Sequence, residues 1–140
     1  MRMRVLTQTN KGKLLTIADA VTKMIEADKA TDVIMPAYPC DGERLIVIVA
    51  TAKPEMPDSF QRFMRSLKKS VTANIAFIID GTPENAQKIV EMAKTNDAHV
   101  IEDNILYING GLPFKFMKKV SEEEMKKVTD WVAEIRKAMV

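Results

Sequence analysis

The stretch Arg4-Val5-Leu6-Thr7-Gln8-Thr9-Asn10-Lys11-Gly12-Lys13-Leu14-Leu15 carries the residues best suited to chemistry in this chain. A short apolar run stops at hydroxyl, amide, lysine and glycine residues, and a helical apolar pattern follows at once. A strand, a polar glycine-containing turn and a helix place backbone N–H groups and a helix N-terminus against an anion, often a phosphate. Thr7, Thr9, Asn10, Lys11, Gly12 and Lys13 are the candidate ligands. A second reading stays open: a capped turn with solvated lysines.

Other chemistries find no support. With one histidine and one cysteine, a His/Cys metal site is not expected. A Ser-His-Asp hydrolase would need His99, and there is no G-x-S-x-G elbow. There is no Walker A motif and no G-x-G-x-x-G. Cys40 has only Arg44 nearby to activate a thiolate. No residue stands out as a catalytic acid, base or nucleophile.

The elements that must position the turn follow from periodicity. Met3 to Thr7 reads as strand one. Lys13 to Asp28 reads as a helix with Leu14, Ile17, Ala18, Val21, Met24 and Ile25 on one face. Asp32-Val33-Ile34-Met35 is predicted as strand two, stopped by Pro36. Leu45 to Ala50 and Ile75 to Ile79 are apolar at every position, as expected of central parallel strands covered on both faces. Helices are predicted from Asp58 to Lys69 and from Pro83 to about Lys94, the latter capped by Thr82. Ala98 to Ile101 and Ile105 to Ile108 flank Glu102-Asp103-Asn104. They form either one kinked or bulged strand or a hairpin. Ser121-Glu122-Glu123-Glu124 is a capping box for a last helix, with Met125, Val128, Val132, Ile135 and Met139 on one stripe.

This alternation predicts a single domain over residues 1–140. It would be a three-layer α/β/α sandwich with a five-stranded parallel sheet in the order 2-1-3-4-5. Ligands in such sheets sit at the carboxyl ends of the strands, at the switch point beside strand one. That is where Thr7 to Lys13 would lie.

The chain resembles the flavodoxin family over nearly its whole length, in element order and in three loops at one sheet edge. Members carry a first loop of the type T/S-x-T-G-N-T that holds the phosphate of FMN. Counting back from Ala18 in Ile17-Ala18-Asp19-Ala20-Val21, Gly12 falls on the family glycine and Thr9 on an early hydroxyl. Lys11 stands where a threonine is usual, Lys13 at the asparagine position and Leu14 at the last threonine. The second loop holds Thr51, Ala52 and Met56, and the third Asp80, Gly81 and Thr82. Both lack the aromatic residues that usually cover the flavin ring. Met56 would pack against the ring or belong to the core. Asp80 would set a carboxylate near the flavin or simply begin the turn. The resemblance implies FMN as cofactor, with its phosphate on Thr9 to Lys13 and its ring between the second and third loops. The activity would be electron transfer or a flavin-dependent reduction. The alternative is a flavodoxin-fold protein without cofactor that works through protein contacts. Another phosphorylated ligand at the same loop is a third possibility.

A receiver domain shares this topology but needs acidic residues after strands one and three, where this chain has Thr7-Gln8 and Ala50-Thr51. The net charge of +2 is too mild to imply nucleic acid, and it departs from the acidic character of electron-carrying flavodoxins. Gly110 to Lys119 interleaves phenylalanines with lysines, either as a plug on the core or as a contact surface. No apolar run approaches the ~18 residues of a membrane span. No apolar signal-peptide core follows Met1-Arg2-Met3-Arg4. A lone Cys40 suits a reducing, cytoplasmic setting. A redox partner protein or small substrate is expected, and a homodimer is compatible with these features.

Overall fold

The computed structural model describes residues 3–8, 12–34, 40–108 and 121–139. Its strands are β1 (Met3–Thr7), β2 (Asp28–Ala30), β3 (Glu43–Thr51), β4 (Thr72–Asp80), β5 (His99–Val100) and β6 (Leu106–Ile108). Its helices are α1 (Gly12–Met24), α2 (Asp58–Arg65), α3 (Pro83–Ala93) and α4 (Glu122–Ala138). Every strand pairing is parallel. The order across the sheet is β2-β1-β3-β4, with β5 and β6 sharing the outer edge of β4. This is the expected flavodoxin-like three-layer sandwich.

Sequence alternation builds the two cores. On one face of the sheet Leu6, Ile46, Ile48, Ile75, Phe77 and Ile79 meet α2 and α3 through Phe60, Met64 and Ile89. On the other, Val5, Val47, Val49, Ala76 and Ile78 meet α1 and α4 through Ile17, Val21, Val128 and Trp131. Burying each of the larger aliphatic or phenylalanine side chains contributes about 1.5–3 kcal/mol before entropy is counted. β3 and β4 are apolar at successive positions because both their faces are covered.

Strand two begins earlier than predicted. α1 stops at Met24 rather than Asp28. Glu26 takes φ 53°, the Ala27 amide donates to the Thr22 carbonyl (2.9 Å) and the Glu26 amide to the Lys23 carbonyl (3.4 Å). That is a Schellman ending, with glutamate at the position glycine usually takes. The chain is already extended at Asp28, where it pairs with Arg4. Asp32 to Ile34 is no strand, because the Asp32 carboxylate accepts from the Ile34 amide (2.8 Å) and closes a turn. Val33 is nonetheless buried, and Met35 lies outside the described residues. Likewise α2 ends at Arg65, short of Lys69. The Ser66 hydroxyl donates back to the Phe63 carbonyl (2.6 Å), and Leu67 stays fully buried beyond the helix.

The far edge is one interrupted strand, not a hairpin. Val100 pairs with Ile75 and Leu106 with Ile78, both in parallel. Residues 101–105 therefore stand opposite only Ala76 and Phe77 and form a bulge. α4 holds the bulge. The Trp131 indole N–H donates to the Asn104 carbonyl (2.8 Å), and the Asn104 amide to Glu134 (2.5 Å).

At the amino ends of the strands Arg4 and Glu43 form a fully buried ion pair, Nη2 to Oε1 3.5 Å. Beside them Thr72 donates to the Asn74 carbonyl (2.7 Å), and the Asn74 side chain donates to the Arg44 carbonyl (3.0 Å). An open cleft of about 400 Å³ at this end is lined by Lys94, His99, Glu102 and Asp103 among others. No helix among the described residues is long and apolar enough to cross a membrane.

Candidate functional site

The carboxyl ends of β1, β3 and β4 lie side by side at the switch point. Thr7 pairs with Val49, and Thr51 with Asp80. Thr7 is fully buried at the last position of β1. The chain then reaches α1 through Gly12, which opens the helix with φ 82°. L-residues rarely adopt that angle, so the backbone itself calls for glycine there. Leu14 is buried on the inner face of α1. The hydroxyl that the flavodoxin pattern puts at this position is thus replaced by a core contact. Thr9, Asn10 and Lys11 and the Gly110–Lys119 segment lie outside the described residues.

Gln8, which follows β1, ties the edge together. Its amide donates to the Val49 carbonyl (3.2 Å), and its side-chain oxygen accepts from the Thr51 amide (3.1 Å). The Thr51 hydroxyl donates to the Asp80 carboxylate (3.3 Å). The Ala52 amide donates to the Asp80 carbonyl (2.8 Å). The Lys53 amide points at the Met56 sulfur (3.4 Å). Three successive N–H groups of the second loop are therefore satisfied within the protein. The loop is held further by Gln61 on the Met56 carbonyl (2.7 Å) and by Lys88 on the Pro54 carbonyl (3.0 Å). Met56 itself is buried among Ala52, Phe60 and the strand residues above α2, so its side chain faces the core.

The third loop meets the second through Gly81. Its φ is +148°, and a Cβ built there would stand 2.9 Å from the Ala52 carbonyl oxygen and 3.2 Å from the Ala52 Cβ. Only glycine lets the two loops touch in this way. Thr82 has its hydroxyl engaged as the α3 cap, accepting from the Asn85 amide (3.2 Å). Thr51, Ala52, Asp80 and Gly81 thus form one ledge beside the N-terminus of α1.

Lys13 does not stand alone there. Its ammonium forms an ion pair with Glu124, whose carboxylate also serves the α4 capping box. The Lys13 side chain is 12% exposed and that of Glu124 34%, so both charges are partly withdrawn from water. The Lys13 hydrogen bond, with help from Ser121, holds the Glu124 carboxyl below its ordinary pKa against the opposing effect of burial.

The structure therefore brings Thr7, Gly12, Lys13, Thr51, Ala52, Asp80, Gly81 and Thr82 to one edge and turns Leu14 and Met56 into the core. Two contributors were not evident as site residues in the sequence. Gln8 differs from any other polar turn residue only by standing one place past the strand. Glu124 already had a complete role as a helix cap, and nothing local links it to Lys13. No group of His, Cys, Asp and Glu among the described residues is arranged to hold a metal ion. No protein-family model matches the chain, and no curated protein matches it at a significant level.

Proposed function

We propose that this chain is a flavodoxin-like protein that binds FMN at the carboxyl edge of its sheet and serves electron transfer or a flavin-dependent reduction. One observation carries the reading: the β2-β1-β3-β4 order sets the end of β1 and the start of α1 at the switch point, beside a ledge built from two further loops. The phosphate would sit at the N-terminus of α1, where first-turn N–H groups and the helix dipole favour negative charge. The ring would rest against Thr51–Ala52 and Asp80–Gly81. The flavin would supply the redox chemistry, and these residues would fix its position and exclude water. A redox partner or small substrate would approach the same edge. Titration of the purified protein with FMN, followed by flavin fluorescence, tests this. Saturable quenching is expected, whereas no bound flavin and no measurable binding would remove the reading.

A second reading has its own support: a flavodoxin-fold protein that acts through protein contacts without a cofactor. The amides of Thr51, Ala52 and Lys53 are already engaged internally, and the loop holds no exposed aromatic to cover a ring. Failure of the flavin titration together with recovery of a stable partner complex would favour it.

A further inference from the structure

We propose that the corner of the fold around the C-terminal end of α2 is a docking surface for a double-stranded nucleic acid, held through its phosphates without regard to sequence. Five exposed cations meet there: Arg62 and Arg65 on α2, Lys68 and Lys69 in the turn that follows, and Arg44 near the start of β3. Strand pairing brings them together. The Gly42 amide donates to the Ser70 carbonyl (3.1 Å) and the Glu43 amide to the Val71 carbonyl (2.9 Å), so the chain entering β3 runs beside the chain leaving α2. Alternation puts Arg44 on the face of Ile46 and Ile48, which is the face α2 covers. The corner lies at the amino ends of the strands, away from the ledge at their carboxyl ends, so the inference is independent of the FMN reading.

Charge balance sets this corner apart. Arg4, Lys13, Lys29 and Lys94 all have carboxylate partners, whereas among the described residues none of the five cations has one. Asp41, Asp58 and Asp97 border the patch, and the Asp97 carboxylate accepts from the Lys69 amide (2.8 Å). The α2 dipole favours Arg62 and Arg65 in its last turn, but it gives no reason for Arg44 on a strand. The net charge of +2 hides the patch, because carboxylates elsewhere, such as Glu122 and Glu123 on α4, offset it.

The surroundings select the partner. Among the described residues the exposed large hydrophobics are Ile34 and Tyr107, which follow β2 and sit on β6. Phe63 of α2 packs against the core. Stable membrane anchoring needs an apolar anchor besides cations, and a protein interface needs an apolar or aromatic centre. Single strands need exposed aromatics on which bases stack. A duplex needs only cations placed along its phosphates, and the planar fork of arginine suits phosphate oxygens.

The test is binding of a fluorescent DNA or RNA duplex of about 20 base pairs to the full-length protein, read by anisotropy between about 50 and about 200 mM salt. With about three to five phosphates neutralised, log K should fall against log salt with a slope of about −2.7 to −4.5, a loss of about 40- to 500-fold over that range. Arg44→Gln should shrink the slope by about 1. Arg62→Gln, Arg65→Gln, Lys68→Gln and Lys69→Gln together should leave a slope of about −1. Lys126→Gln with Lys127→Gln, at exposed positions of α4, should leave it unchanged. Arg44→Gln carries the test alone if the fourfold variant does not fold. No binding of either duplex at about 50 mM salt would overturn the inference. So would duplex binding undiminished by the Arg44 and α2 substitutions, or capture by phosphatidylserine vesicles in place of a duplex. The FMN titration stands or falls separately from each of these results.

Discussion

Replacing Gly81 by alanine would strike the contact between the second and third loops. The cost has two parts. The backbone at φ +148° is a conformation L-residues rarely adopt, and holding a residue in such a region costs about 1–3 kcal/mol. The new Cβ would also stand 2.9 Å from the Ala52 carbonyl oxygen. That neighbour is backbone, anchored by the Ala52 amide on the Asp80 carbonyl at 2.8 Å, so it cannot swing away as a side-chain tip would. Relief by shifting the loop would weaken that bond, worth about 1 kcal/mol. The sum is about 2–4 kcal/mol of destabilisation. Gly42 is the internal control, since its φ is +68° with nothing within 4 Å of a built Cβ. Gly42→Ala should cost only the left-handed penalty, about 1–2 kcal/mol. Urea unfolding of both variants measures the difference, which reports the close approach of the loops together with the rarer backbone region at Gly81. Equal destabilisation by the two substitutions would refute the steric contact at Gly81.

Arg4→Met should destabilise by about 3–5 kcal/mol, because it takes the Arg4 charge away from the buried Glu43 carboxylate. Arg4→Met with Glu43→Leu should recover much of that loss, which denaturant midpoints of the single and double variants will report. Ser121→Ala should cost about 0.5–2 kcal/mol and loosen the first turn of α4, visible as faster amide exchange at Glu124 and Met125. Glu124 has a depressed carboxyl pKa, with Lys13 as the first cause. Its contribution to stability should be complete above the ordinary glutamate range and be lost as pH falls through the lower folded value. Stability measured from pH 6 to pH 3 should therefore fall less steeply in Glu124→Gln than in wild type.

The sheet was legible because its central strands leave little choice. Leu45 to Ala50 and Ile75 to Ile79 are apolar without alternation, which only a doubly covered parallel strand or a buried helix allows, and their length selects the strand. The caps at Thr82 and Ser121 were equally plain, since the capping chemistry is local. What escaped depended on contacts distant in sequence or on unusual backbone. Asp28-Lys29-Ala30 has no apolar run to mark it as strand two, and its pairing with Arg4 to Leu6 is what makes it one. The α1 stop was hidden because glutamate, not glycine, occupies the left-handed position. Trp131 falls outside the predicted α4 stripe, yet it is buried and holds the Asn104 bulge. At the candidate site the location could be read from topology, but its wiring could not. Gln8 on Thr51 and Glu124 on Lys13 join residues that share no local pattern.

The most direct measurement is equilibrium binding of FMN and riboflavin to the full-length protein, read by flavin fluorescence, with absorption of the protein as purified for comparison. Saturable FMN binding at one site per chain, weakened by Gly81→Ala and stronger than riboflavin binding, is expected from a phosphate held at the N-terminus of α1. Equal, unsaturable fluorescence changes for both flavins, with a colourless protein, would contradict it.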